Sequence, residues 1–60
     1  NEINKAKTMF KKGLYINPDN ILSHFMLGNI LKDEGNTKAA MIHYRNAMDI
    51  TARKHLHAIL

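Results

Sequence analysis

The feature of this sequence that most constrains its fold is a similarity of the chain to itself at a spacing of 34 residues. At that shift Phe10 aligns with Tyr44 and Ala6 with Ala40, so an aromatic residue meets an aromatic one and a small residue meets a small one. A recurrence of this length is typical of stacked supersecondary units. It predicts the second helix of one unit in residues 1–20, a complete unit in residues 21–54, and the start of the next helix in residues 55–60.

Three short breaks divide the chain. Pro18 cannot continue a helix, and Gly35 suits the left-handed residue that closes one. The third break, at residues 51–53, contains neither Pro nor Gly, so its position depends mainly on the spacing. Between the breaks apolar residues recur at helical intervals, and no segment alternates as a strand would. The pattern predicts an all-α fold of antiparallel helix-turn-helix pairs, an α-solenoid fragment with about four helices at residues 2–16, 20–34, 37–51 and 54–60.

The inward faces of these helices are predicted from the same periodicity. In the helix at residues 37–51 we expect Met41 and Met48 to point inward and Ile42 to point outward. Small residues would let the helices approach closely, and the two aromatic residues of the period would fill the space between helix pairs. The predicted repeat core consists of Ala6, Phe10, Leu27, Gly28, Leu31, Ala40, Tyr44 and Ala47.

These core residues resemble the signature of the tetratricopeptide repeat family. The matching positions are Leu27-Gly28, Leu31, Ala40, Tyr44 and Ala47, preceded by Ala6, Phe10, Gly13 and Pro18 in the earlier half-unit. The sequence departs from the signature at His24, where the family usually has a large apolar residue, and at Ala52, where it usually has proline. Without that proline the helix at residues 37–51 can run on. The resemblance implies a protein-interaction module and not an enzyme.

A second resemblance is to the tetratricopeptide tail of bacterial chemotaxis protein methyltransferases. His24-Phe25 before the Leu-Gly-Asn of residues 27–29 carries it, together with the string His43–Ala47. In that family an upstream domain methylates glutamates of chemoreceptors with S-adenosylmethionine, and the tail is thought to contact proteins. The resemblance therefore implies a parent methyltransferase. No cofactor residue of that domain can be assigned in this chain, so we expect no cofactor here.

One stripe of the helix at residues 20–34 is a candidate partner groove. It contains Leu22, Phe25, Asn29 and Lys32, and it lies away from Leu27. The family resemblance implies that the first helix of each pair lines a groove for another protein or peptide. Phe25 is the expected anchor, with Asn29 bonding a backbone and Lys32 a carboxylate. The alternative is an ordinary exposed stripe with Phe25 packed on a neighbouring residue.

The sequence contains no pattern that predicts catalysis or metal binding. There is no cysteine. His55 and His57 are two residues apart, which on a helix points them about 200° apart and prevents them from sharing an ion. His24 is expected to pack between helices, and Ser23 has no partner that would make it a nucleophile.

The net charge of +4 leaves a nucleic-acid-binding helix-turn-helix open as the alternative function. The helix at residues 37–51, however, offers only Lys38, Arg45 and Asn46 outward, with Asp49 beside them. We therefore expect no specific nucleic acid partner. A purely architectural spacer is a third possibility.

The absence of cysteine and of any signal or membrane-spanning pattern predicts a cytoplasmic protein with no membrane partner. The N-terminus has no initiator Met, so the sequence reads as part of something longer. The apolar residues Leu56, Ile59 and Leu60 then have no closing helix. For the isolated chain we predict a homodimer that covers the terminal helices.

Overall fold

The computed structural model describes residues 1–59, with Ile59 described by its backbone alone. Three helices make up the structure: α1 at Glu2–Ile16, α2 at Ile21–Asp33 and α3 at Thr37–Ile59. The middle helix, α2, packs against α1 on one side and against α3 on the other. The described residues contain no strand, which confirms the predicted all-α class. None of the described helices is long and apolar enough to cross a membrane.

An asparagine caps the N-terminus of each helix. The side-chain Oδ1 of Asn1 accepts from the backbone N–H of Asn4 at 2.8 Å. Asn20 and Asn36 do the same for the residues three positions later, at 3.0 and 3.3 Å. Each bond satisfies one of the backbone donors that a helix leaves free in its first turn.

The turn between α2 and α3 closes on Gly35, whose φ is +85°. The N–H of Asn36 donates to the carbonyl of Leu31 at 2.8 Å, and the N–H of Gly35 donates to that of Lys32 at 3.0 Å. This pair of bonds is the Schellman motif. It needs one residue in the left-handed conformation, which glycine adopts without strain. It reverses the chain within three residues, and α3 returns along α2.

The predicted break at residues 51–53 is wrong, because α3 continues through it as a single helix of 23 residues. Ala52, Arg53 and Lys54 are strong helix formers, and the hydroxyl of Thr51 bonds to the carbonyl of Ala47 within the same helix at 2.8 Å. Nothing at this point opposes continuation as Pro18 does after α1. The described chain thus has three helices instead of about four. Leu60 and the side chain of Ile59 lie outside the described residues.

Two glycines set the distances between the helices. A Cβ on Gly28 would meet Cε1 and Cδ1 of the Tyr44 ring at 2.6 and 2.8 Å, so the ring lies directly on the backbone of α2. A Cβ on Gly13 would meet the hydroxyl of Ser23 at 2.8 Å where α1 crosses α2. The two contacts differ in rigidity, because a hydroxyl can rotate away while a packed ring cannot.

The buried core lies between α2 and α3. Its apolar members are Leu27, Ala40, Ala47 and Ile50, and Ser23, His24 and Gly28 are buried with them. Of the other residues predicted for the core, Ala6, Phe10, Leu31 and Tyr44 are half-buried.

Two of the inward positions predicted on α3 are wrong. Met41 and Met48 are 56% and 72% exposed, whereas Ile50 is 4% exposed. The side of α3 that faces α2 runs through Ala40, Ala47 and Ile50, and the two methionines lie on a neighbouring stripe that nothing in the described chain covers. Ile42 is exposed as predicted.

Gly28→Val should destabilise the fold by about 1–3 kcal/mol or more, since the added methyl groups would displace the Tyr44 ring. Chemical denaturation measures this loss. In a Tyr44→Ala background the same Gly28→Val change should cost much less, because the ring that it would displace is absent. An equal loss in both backgrounds would show that the Tyr44 ring does not set the distance between α2 and α3.

Candidate protein-binding groove

An aromatic pair links α2 and α3 at the surface of the core. The ring centroids of Phe25 and Tyr44 are 5.8 Å apart with an interplanar angle of 57°, a tilted arrangement that aromatic pairs favour. The hydroxyl of Tyr44 donates to Oδ1 of Asn29 at 2.5 Å. Tyr44 is thus fixed at both ends, by Gly28 under its ring and by Asn29 at its hydroxyl.

Beside this pair lies an open groove of about 650 Å³ between α2 and α3. Its walls are made almost entirely of carbon, which is typical of surfaces that bind apolar side chains. The lining residues are Ile21, Phe25, Tyr44, Ala47, Met48, Thr51, Ala52 and His55. We call this surface the α2–α3 groove.

Of the four residues predicted for the partner groove, only Phe25 lines the α2–α3 groove. It is 49% exposed. Asn29 lies at the edge, where it accepts from Tyr44. Leu22 and Lys32 are exposed on α2 outside the groove lining. The structure therefore brings Phe25 and Asn29 together through Tyr44, while Leu22 and Lys32 lie on the same helix without lining the groove.

Sequence reasoning missed most of the α3 wall. The sequence pattern predicts Met48 on the inward face of its helix, a break at residues 51–53 and a new helix at residues 54–60. The signal for this wall is the absence of proline at Ala52, which predicts that the helix at residues 37–51 can run on. With α3 continued, Met48, Thr51 and His55 fall on one stripe at helical spacing.

Two histidines form a hydrogen-bonded pair on the far side of the core. Nε2 of His24 lies 2.9 Å from the carbonyl oxygen of Pro18, which can only accept, so Nε2 carries the proton. In the neutral ring Nδ1 of His24 is then an acceptor, and it lies 3.1 Å from Nδ1 of His43, which donates. The pair joins the turn after α1 to α2 and α3, and it satisfies the polar atoms of His24, which is buried as predicted.

Burial lowers the pKa of His43 below 6.5, and the neighbouring charges of His24 and Lys11 lower this pKa further. The physical cause is that a protonated ring would lose part of its hydration and would lie near other positive groups. The neutral pair is therefore the form that the fold favours.

Two ion pairs join distant parts of the chain at the surface. Lys7 of α1 lies 2.7 Å from Glu34 after α2, and Arg53 of α3 lies 3.5 Å from Asp19 in the first turn. The Arg53–Asp19 pair is largely exposed, so it contributes little to stability. Among the described residues no group of three or more His, Cys, Asp or Glu side chains could hold a metal ion.

The fold and its close contacts agree with the comparison to protein families. The model of the tetratricopeptide repeat matches residues 1–20 and residues 21–54. The chain belongs to the tetratricopeptide repeat family. Tetratricopeptide repeats are a non-catalytic fold, and they generally mediate contacts between proteins.

Two similar relatives are the protein O-mannosyl-transferase TMTC1 of Homo sapiens and that of Mus musculus. Each is 36% identical to this chain over 47 residues, which are 78% of the chain. The chain spans only 5% of the length of these relatives. No solved structure matches the chain significantly.

The lowered pKa of His43 predicts a pH dependence of stability in this tetratricopeptide unit. Because the unfolded chain binds the proton more readily, the free energy of unfolding should be greatest above pH 6.5 and should fall as the pH falls below it. His43→Gln should make the dependence shallower between about pH 7 and 5, while His57→Gln, at an exposed position, should leave it unchanged. Urea denaturation across the pH range measures the slope. Equal slopes in all three proteins would rule out His43 as its source.

Proposed function

We propose that this tetratricopeptide unit binds another protein or a peptide through the face that contains Phe25. The observation that supports the proposal most directly is the α2–α3 groove, an open apolar surface with an aromatic side chain at its rim. Exposed apolar surface of this kind is costly unless a partner covers it. The fold supplies a rigid wall, because Tyr44 is fixed by Gly28 and Asn29.

The chemistry of the face defines the partner. An apolar side chain of the partner packs beside Phe25, and the carboxamide of Asn29 offers N–H donors to its backbone. Lys32 and Leu22 extend the contact along the exposed stripe of α2. The net charge of +4 favours an acidic partner over a basic one.

Two parent proteins stand as proposals for the longer chain. The string of residues 43–47 and the His24-Phe25 pair support a chemotaxis protein methyltransferase, whose repeats would contact proteins. The similarity to the protein O-mannosyl-transferases supports a transferase of that kind, with this unit among its repeats. In both proposals this unit itself carries no catalytic site and no cofactor. The gene sequence around this segment decides between them.

We also propose that the unit binds no nucleic acid specifically and that the isolated chain forms a homodimer. The first proposal is supported by α3, on which Asp49 and the Arg53–Asp19 ion pair reduce the positive charge available to phosphates. The second is supported by exposed apolar residues near the end of α3, such as Leu56.

Panning a phage-displayed library of random peptides on the immobilised chain at physiological salt tests the proposed function. A selected synthetic peptide should lose at least about tenfold in affinity on Phe25→Ala, since buried aromatic anchors carry about 2 kcal/mol or more at interfaces. Met9→Ala, at an exposed apolar position of α1, is the matched control and should have no effect.

Equal losses for the two variants would contradict a site at Phe25. A duplex DNA probe in the same buffer tests the alternative function. Binding tighter than about micromolar that varies with DNA sequence would favour the helix-turn-helix instead.

A further inference from the structure

The last part of α3 extends beyond the body of the molecule. Ile50 is the last buried residue among those whose side chains the structure describes, and every side chain from Thr51 to Ala58 is exposed. These residues continue as regular helix. We call residues 51–59 the α3 overhang.

One stripe of α3 runs from the groove into the overhang. At about 100° per residue, Tyr44, Met48, Thr51, His55 and Ala58 lie within about 40° of a common direction. Their spacing alternates four and three residues, which is the spacing of a coiled-coil seam. None of the five is Lys, Arg, Asp or Glu, so a helix lying on this stripe would meet no fixed charge.

The chain itself shows what fits on this stripe. On α1 Gly13 lies directly against Ser23 of α2, and Phe10 is half-buried three residues earlier. The counterparts of Phe10 and Gly13 one period later are Tyr44 and Ala47, which line the open α2–α3 groove. The groove on α3 is therefore equivalent, one period later, to the surface of α1 on which α2 packs. A helix is the kind of segment that fits there.

The described chain does not fold back after Ile50 as it does after α1. The turn that reverses α1 has Pro18 at its centre, and the residue one period later is Ala52, where α3 continues straight. The segment that would fold back is instead held in the overhang, whose residues Thr51, Ala52 and His55 continue the α3 wall of the same groove.

We propose that a second copy of this chain fills the α2–α3 groove, with the two α3 helices antiparallel and each overhang lying in the groove of the other copy. The lengths match, because the stripe has as many residues from Tyr44 to Thr51 as from Thr51 to Ala58. If Ala58 of one copy lies beside Tyr44 of the other, the midpoint of the stripe must lie at the two-fold axis. That midpoint is Thr51. Met48 then meets His55 of the second copy.

The arrangement is continuous with the packing already present in one molecule. Phe25, Tyr44 and Ala47 belong to the α2–α3 contact and also line the groove, so an incoming helix extends the same apolar interface. The contact is isologous, so one two-fold operation fills both grooves and leaves no open end for further growth. The proposal rests on the homodimer of the proposed function and deepens it, since it places the second copy in the groove that a peptide would also use.

A cysteine cross-link tests the arrangement, because the chain has no cysteine of its own. Thr51→Cys places two sulfurs at the axis and should give a disulfide-linked dimer under mild oxidation at micromolar concentration. Asn46→Cys, exposed on the opposite side of α3, is the matched control and should stay largely monomeric on a non-reducing gel. Equal cross-linking of the two variants, or none in either, would overturn the proposal.

Sedimentation equilibrium of variants without cysteine provides the second arm. Met48→Glu should raise the dimer dissociation constant at least tenfold, while Ile42→Glu, at an exposed apolar position on the opposite side of α3, should leave it unchanged. A third variant copies the turn at residues 17–20 into residues 51–54, with the changes Thr51→Asn, Ala52→Pro, Arg53→Asp and Lys54→Asn. This turn should break α3 and remove the overhang, so the variant should be a monomer.

Circular dichroism checks that each variant stays helical. If the four-residue replacement unfolds, the Met48→Glu and Ile42→Glu variants still decide the question. A wild-type chain that is monomeric at all concentrations would overturn the dimer. It would leave the proposed peptide binding intact, because binding at Phe25 is measured independently of self-association.

Discussion

The contact between the Tyr44 ring and the backbone of Gly28 is the constraint on which the rest of this structure depends. It sets the distance between α2 and α3, since any side chain at residue 28 would occupy the space of the ring. It also fixes the ring beside Phe25, while Asn29 holds the hydroxyl. The same contact that closes the core on one side thus builds the wall of the α2–α3 groove on the other.

Most of the fold could be predicted from the sequence because its strongest signals are local and repeated. Pro18 and Gly35 each force a turn, and the 34-residue spacing places equivalent residues on equivalent helices. The end of α3 could not be predicted in this way. There the spacing indicated a turn, but Ala52, Arg53 and Lys54 favour helix, and local propensity decided the outcome.

The candidate site was predicted only in part, for a geometric reason. Periodicity places a residue on a face of its own helix, but it does not say which face a neighbouring helix covers. The periodicity therefore predicts that Met48 points inward, whereas in the structure it lines an open groove. The His24–His43 pair has no signal in the sequence, because its members are 19 residues apart on different helices and meet only when α2 and α3 pack.

Nuclear magnetic resonance of the chain in solution tests the central contact most directly. The account predicts strong nuclear Overhauser effects between the Hα protons of Gly28 and the ring protons of Tyr44, together with a ring-current shift of those Hα resonances away from their random-coil position. The contact lies within one molecule, so the result does not depend on self-association. Hα resonances of Gly28 at random-coil positions, without cross-peaks to the Tyr44 ring, would contradict the account.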